Sequence, residues 1–480
     1  MKMLIDSQWV EASDGAHLEV RNPGTGVVID RVPRATAEDA RRAVGAAQAG
    51  KEAMHRLSAA ERYDLLQAIA DAILPRVDDL GRLLAEENGK PILQTRAEVA
   101  VTVRIMRGFA EEAKRIFGRV MPVDAVHGQE RHFAITIRQP LGVVAAIVPF
   151  NYPVELWGHK AAAALAAGNA VISKPPSACP LTLLKIAELM EQVGMPRAAH
   201  QMITGPGELI GDFLAGSPGV QLITVTGSTQ VGKHIARLAA DNLKKVHMEL
   251  GGNDAMIILA DADLDKAAEA VVLGRLARGN GQICCAVKRI FVEASIYEAF
   301  ADRLTALARG LTVGDQLLET TDVGPLISEK AAQEVEALIQ EAVRAGAKVR
   351  TGGGRRKAFI DPTVLTDVPV QAEVFREETF GPVAPLVRFT NLDEAVRMAN
   401  DSPYGLQSAV FTRDINKAFE IAYRLEAGGV IVNWSSALRV ETLPFGGVKM
   451  SGHGREGIHD TLEEMTDQKT IVIHNAFPAP

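Results

Sequence analysis

The sequence predicts an α/β protein made of two consecutive units, each a buried sheet flanked by helices. Three observations carry this reading. Short apolar runs, Val143-Val144-Ala145-Ala146-Ile147-Val148, Ala170-Val171-Ile172-Ser173 and Leu222-Ile223-Thr224-Val225, are separated by helical stretches, the pattern of a parallel sheet covered on both faces. The pattern then repeats in Ala255-Met256-Ile257-Ile258-Leu259-Ala260, Arg289-Ile290-Phe291-Val292 and Gly429-Val430-Ile431-Val432. A chain of 480 residues is also too long for one hydrophobic core, so two or three domains are expected.

The remaining elements follow in order. From about Ala37 to Lys114 the spacing is helical, as in Ala59-Ala60-Glu61-Arg62-Tyr63-Asp64-Leu65-Leu66. Between Arg131 and Arg138 the period changes to an alternation of polar and apolar residues, a strand with one solvated face. Lys469-Thr470-Ile471-Val472-Ile473 at the chain end is strand-like too. No Gly/Ser or Pro linker divides the units, and no internal repeat is present.

Composition narrows the function classes. With 52 Lys+Arg against 59 Asp+Glu the net charge is −7, which gives no basic footprint for nucleic acid. The N-terminus meets Asp6 before a signal-like apolar run develops, and no stretch approaches the roughly 20 apolar residues of a spanning helix. The three cysteines, Cys179, Cys284 and Cys285, make a poor disulfide framework because two are adjacent. A cytoplasmic chain without a membrane anchor is expected.

The chemistry centres on Gly281-Gln282-Ile283-Cys284-Cys285-Ala286, a loop of small residues that presents a thiol, and on the acid of Met248-Glu249-Leu250-Gly251-Gly252. A thiolate can attack a carbonyl, and a carboxylate can take the proton of the water that releases the acyl group. By themselves these residues would equally suit a thiol hydrolase. A lone Cys is more often buried and inert, and a lone Glu more often solvated.

Further motifs occur in a fixed order: Pro149-Phe150-Asn151-Tyr152-Pro153, Lys174-Pro175-Pro176-Ser177, Gly227-Ser228-Thr229-Gln230-Val231-Gly232, Glu377-Glu378-Thr379-Phe380-Gly381-Pro382 and Pro444-Phe445-Gly446-Gly447-Val448-Lys449-Met450-Ser451-Gly452. With the Cys284 and Glu249 segments they resemble the aldehyde dehydrogenase superfamily over nearly the whole chain. Among its members, the succinate-semialdehyde and lactaldehyde dehydrogenases are nearest in pocket residues. The resemblance implies a Rossmann-like NAD(P)-binding domain (residues 1–120 and 140–250), a second α/β domain carrying the thiol (251–440) and a small β oligomerisation element (121–139 and 460–480). A homodimer or homotetramer follows as an expectation, since an exposed strand edge seeks a partner.

By the same resemblance Cys284 is the nucleophile, Glu249 the general base, and Asn151 the side-chain donor to the oxyanion, with the Cys284 N–H as second donor. The cofactor, NAD or NADP, is expected at Lys174, Gly227, Ser228, Gly232, Glu378 and Phe380, with Pro149, Phe150 and Leu250 alongside. The Gly-Ser-Thr turn lies between a strand and a helix, where helix N–H groups favour a pyrophosphate, although it is no G-x-G-x-x-G fingerprint and could equally be a plain helix cap. Thr226 stands where the family usually has Phe. Ser177 occupies a position often filled by Glu in NAD-preferring members; serine can donate to a 2′-phosphate that a carboxylate would repel, so NADP is expected to be accepted.

For the substrate, the candidates are His159, Arg439, Arg107, Tyr152 and Phe445, with Arg289 as a further contributor. His159 stands where some relatives have arginine, and Arg439 lies in the loop bordering the family's substrate funnel. A paired Arg and His suits a short aldehyde bearing a carboxylate, phosphonate, sulfonate or hydroxyl, of the semialdehyde, lactaldehyde or glycolaldehyde type. The alternatives are a general aliphatic or aromatic aldehyde enzyme, a CoA-acylating enzyme and a catalytically silent member. Cys285 is read as a passive neighbour, Cys179 as structural, and no metal site is expected.

Overall fold

The computed structural model describes residues 1–478; the final two residues of the expected 460–480 element lie outside the described residues. The expected helical stretch divides into four helices, Ala37–Arg56, Ala59–Ile73, Val77–Asn88 and Ile92–Ala113. The first two start at capping boxes, Thr36 with Asp39 and Ser58 with Glu61, in which each residue's side chain bonds the other's backbone N–H. Gly89 ends the third with φ +92°, the left-handed cap that glycine adopts without strain.

The first sheet has eight strands in the order Gln8–Val10, Met3–Ile5, His200–Met202, Ala170–Lys174, Val143–Ile147, Leu222–Thr226, Lys245–Glu249, Gly452–His453. The five from His200–Met202 to Lys245–Glu249 run parallel. Chain order runs outward in both directions from Val143–Ile147, so the topology reverses between that strand and Leu222–Thr226. In open α/β sheets the ligand crevice lies at the carboxyl ends of such strands. Here Pro149-Phe150-Asn151 and Gly227-Ser228 leave from those two ends.

The second sheet has seven strands in the order Lys348–Thr351, Thr363–Thr366, Val383–Phe389, Val287–Glu293, Asp254–Ile258, Gln407–Phe411, Gly429–Val432, all parallel except the first pair. Only four residues separate Glu249 from Asp254, where the second sheet begins, so the acid at the end of one sheet's strand stands beside the segment that feeds the other. A third sheet is antiparallel: Phe133–Pro140 lies between Arg119–Met121 and Thr466–Ile473. Val472 and Ile473 on its outer strand are more than half exposed. Among the described residues no helix is long and apolar enough to cross a membrane.

Candidate active site

The nucleophile loop is built by left-handed backbone. Gly279, Asn280 and Gly281 all have positive φ, +58°, +55° and +73°. A Cβ on Gly281 would lie 2.4 Å from the Gly381 carbonyl carbon, so only glycine lets this loop rest on the Glu377–Pro382 motif. Asn280 pins the turn by donating to the Gly89 and Pro325 carbonyls at 3.0 and 2.9 Å and accepting from the Gly324 N–H at 2.8 Å. Gln282 accepts from Ile327 N–H at 3.1 Å. Lys288 then joins three of the sequence motifs: its buried ammonium donates to Glu378 Oε1 at 2.8 Å, to the Gly252 carbonyl at 2.7 Å and to the Cys284 carbonyl.

The half-buried Cys284 opens onto a chamber of about 30 Å³ lined by Asn151, Tyr152, Glu155, Arg278, Cys285 and Arg439, together with apolar neighbours. Tyr152, Glu155, Arg278 and Ala437 also line a wider funnel of about 490 Å³ leading outward between Leu93, Glu319 and Trp434. The structure thus brings together Cys284, Asn151, Tyr152 and Arg439. Phe445 packs in the same apolar cluster and lies under the Arg439 guanidinium, 4.5 Å from ring centroid to the guanidinium carbon. Asn151 is held through its peptide: Lys90 Nζ donates to its carbonyl at 2.6 Å.

Glu249 is buried, and neither carboxylate oxygen has a hydrogen-bond partner among the described residues. Burial, followed by the charge of Glu456, pushes it up to about 8. The Cys284 thiol is raised by its neighbour Cys285, by burial and by Glu249, whereas Cys285 is pushed down to about 7 by Cys284 and, against burial, by the charges of Arg278, Arg439 and Lys288. These three cations favour the ionised form of Cys285, the sulfur next to the nucleophile.

Three expected substrate residues stand elsewhere, and these are corrections. His159 lines neither cavity: it is buried edge-on against Phe109, both ring nitrogens lack partners, and burial drives it well below its usual value, so it carries no charge for an anion at neutral pH. Arg107 is a surface residue paired with Asp71 at 2.7 Å. Arg289 is buried but spends its donors on the carbonyls of Asn253, Met398 and Ala399, tying its strand to helix Leu392–Asn400 and to the segment before Asp254.

Sequence reasoning passed over Arg278 and Glu155. Arg278 lines both cavities, donating to Tyr152 Oη at 3.2 Å and to the Ala437 carbonyl at 2.9 Å, so unlike Arg439 its charge has no carboxylate partner among the described residues. Its signal was a lone cation opening the glycine-rich loop that ends in Cys284.

The cofactor candidates lie along the carboxyl edge of the first sheet. Ser228 caps helix Thr229–Ala240 by accepting from Val231 N–H, and a Cβ on Gly227 would meet nothing nearer than Val231 at 3.9 Å, so the turn before the helix is open. Lys174 is buried and pushed down to about 8 by burial, and its ammonium reaches only Ser177 Oγ, at 3.5 Å. It therefore has donors to spare for ribose hydroxyls. Ser177 in turn donates to the Gly205 carbonyl at 2.8 Å. Phe380 meets Phe150 edge-to-face at 5.8 Å, and both rings, like Pro149, remain partly exposed. Glu378 is fixed by Lys288 and by the Gly252 N–H at 3.1 Å. Gly232 differs in kind: a Cβ there would collide with Leu250 at 2.5 Å, so it serves close helix–strand packing, and the two residues hold the cofactor edge together. This donor set fits a dinucleotide.

With fold and site in place, comparison with known proteins shows that the chain belongs to the aldehyde dehydrogenase family, matched over residues 9–471. It is 42% identical over 473 residues to the 3-sulfolactaldehyde dehydrogenase of Priestia aryabhattai, covering 98% of each chain. It is 40% identical to the glutarate-semialdehyde dehydrogenase of Pseudomonas putida, covering 98% of this chain and 97% of that one. A crystal structure of an E. coli NADP-dependent enzyme superposes with TM-score 0.96 at 37% identity, covering 98% of each chain. The protein is an NAD(P)-dependent aldehyde dehydrogenase.

Proposed function

We propose that the enzyme oxidises a short aldehyde bearing a polar or anionic group, of the semialdehyde, lactaldehyde or glycolaldehyde type, to the free carboxylic acid. The observation that carries this reading is the lining of the chamber at Cys284 by two guanidiniums, of which Arg278 is unpaired by any carboxylate among the described residues. The names of the relatives, a sulfolactaldehyde and a glutarate-semialdehyde dehydrogenase, point the same way.

In this reading the Cys284 thiolate adds to the aldehyde carbon, and the oxyanion of the thiohemiacetal is met by the Asn151 carboxamide and the Cys284 N–H. NAD or NADP, when bound, supplies the acceptor for the hydride. Lys174, Ser228, Glu378 and the Phe150–Phe380 pair hold that cofactor, with Ser177 leaving room for a 2′-phosphate. Cys284 then carries a thioester. Glu249 takes a proton from the attacking water, the C–S bond breaks and the acid leaves. A base buried within reach of the thiol favours hydrolysis over transfer to coenzyme A.

The three-stranded sheet with its exposed outer strand supports a homodimer or homotetramer, which light scattering at micromolar concentration checks; a monomer would count against it. Three unpaired cysteines suit a cytoplasmic setting. The functional test is initial-rate NAD(P)H formation without coenzyme A on succinate semialdehyde, lactaldehyde, glycolaldehyde, propanal and benzaldehyde. Preference for the polar and anionic members is expected; preference for propanal or benzaldehyde overturns the reading.

A further inference from the structure

Among the described residues Glu155 is the only carboxylate lining the chamber beside Cys284, and it lines the outer funnel as well. Its position is fixed. It lies in the first turn of helix Pro153–Ala166, and its backbone N–H donates to Glu98 Oε1 at 3.3 Å. Its side chain is only 8% exposed, yet the nearest cation, Arg439 Nε, is 3.9 Å away, beyond hydrogen-bond reach. That guanidinium is already taken by Glu456 at 2.6 Å. The helix N-terminus and the neighbouring guanidiniums balance the charge of Glu155, but no donor among the described residues satisfies its oxygens. Its oxygens face the cavities rather than a protein donor, so a hydroxyl held in the chamber can donate to them.

We propose that Glu155 determines specificity by accepting a hydrogen bond from a hydroxyl on the carbon next to the aldehyde, so that the preferred substrates are 2-hydroxyaldehydes. The inference rests on the proposed function and sharpens it. The chamber is small enough to hold little beyond the aldehyde and its adjoining carbon. With the aldehyde carbon at Cys284, that carbon lies among Tyr152, Glu155 and Arg439. A negative group placed there would be repelled by Glu155, so a distal anion extends instead to Arg278, which faces chamber and funnel alike.

The test is the ratio of kcat/KM for lactaldehyde over propanal, and of succinate semialdehyde over butanal, in the wild type, Glu155→Gln and Glu155→Ala. The first ratio is expected to fall by about tenfold or more in Glu155→Ala and by less in the isosteric Glu155→Gln, the scale of a charge-assisted hydrogen bond. The second ratio is expected to hold or rise. Equal losses on lactaldehyde and propanal, as a mere counterion of Arg439 would give, overturn the inference; should the alanine variant fail to fold, the glutamine variant alone decides. A wild type that favours succinate semialdehyde over butanal but not lactaldehyde over propanal leaves the proposed function standing and removes only this inference. Preference for propanal and butanal throughout removes both.

Discussion

Arg439 Nη2 donates to Glu456 Oε2 at 2.6 Å, and the other oxygen of that carboxylate accepts from Lys160 Nζ at 2.6 Å. Lys160 and Glu456 are buried and Arg439 nearly so, and against burial Lys160 and Arg439 hold Glu456 well below the ordinary carboxylate range. The guanidinium that sequence offered as a substrate anchor is therefore already engaged by a carboxylate 17 positions further along the chain. The anion falls to Arg278.

The two arginines should separate by phenotype. Arg278→Met is expected to lower kcat/KM for succinate semialdehyde relative to butanal by roughly 10- to 100-fold, the loss of a charge-assisted bond. Arg439→Met leaves Glu456 with one cation fewer and removes a charge that favours ionised Glu249, so the pH at which the rate rises should move upward. Steady-state kinetics on both substrates across pH distinguishes them; identical behaviour of the two variants would refute the division.

Glu249 sets the pH dependence. A carboxyl raised to about 8 is protonated at neutral pH, so its capacity to act as base grows as pH passes through 8. Deacylation is expected to rise with pH to a plateau beyond this midpoint. In Glu249→Gln that limb should vanish, leaving a stoichiometric burst of NAD(P)H followed by turnover slower by about 100-fold or more, measurable by stopped flow. The stability sign runs the other way. The unfolded chain loses this proton near pH 4 while the native state keeps it to about pH 8, so Glu249 costs stability increasingly across that interval, and Glu249→Gln should gain on the wild type as pH rises through it.

The parts of this site legible in the sequence were those confined to one contiguous motif. Cys284 with its glycine turn, Asn151 at a strand end and the Gly227-Ser228 cap are ambiguous singly and were picked out by the family resemblance of the ordered motifs around them, whereas the apolar runs of both sheets declare themselves locally. What stayed hidden depends on packing between distant segments. Nothing near His159 in sequence reveals that its ring turns into the core against Phe109, or that Glu456 reaches Lys160 across 296 positions. Helical periodicity shows which face is apolar but not which charges a neighbouring chain segment will neutralise. Glu155 was overlooked for a related reason: it sits among apolar neighbours and looks like an ordinary first-turn acid.

Cofactor choice should respond to one side chain. Ser177 is half-buried three residues from Lys174, and its hydroxyl is turned to the Gly205 carbonyl. Ser177→Glu would set a carboxylate beside the ribose-binding ammonium, attracting ribose hydroxyls and repelling a 2′-phosphate. The ratio of kcat/KM for NADP over NAD is expected to fall at least about tenfold. An unchanged ratio would show that the 2′-phosphate does not approach this residue.

The buried pair Lys90–Glu98 should affect stability and rate in separable ways. Lys90 donates to the Asn151 carbonyl and lies 3.9 Å over the Tyr152 ring, while Glu98 accepts from the Val154 N–H at 2.9 Å, so the two charges grip both sides of the loop that carries Asn151. Asn88 adds a bond to the Phe150 carbonyl at 2.5 Å. Lys90→Met strands a buried carboxylate and should cost about 3–5 kcal/mol, whereas Lys90→Met with Glu98→Leu replaces the pair by apolar groups and should recover most of that. Activity should not recover, because the Asn151 peptide has lost its anchor; a deficit in kcat approaching the 100-fold of a missing oxyanion donor is expected in both variants. Chemical denaturation and kcat on the same preparations decide the matter: a double variant that regains both stability and rate would show that the pair only supports the fold, and one that regains stability alone would show that it positions Asn151.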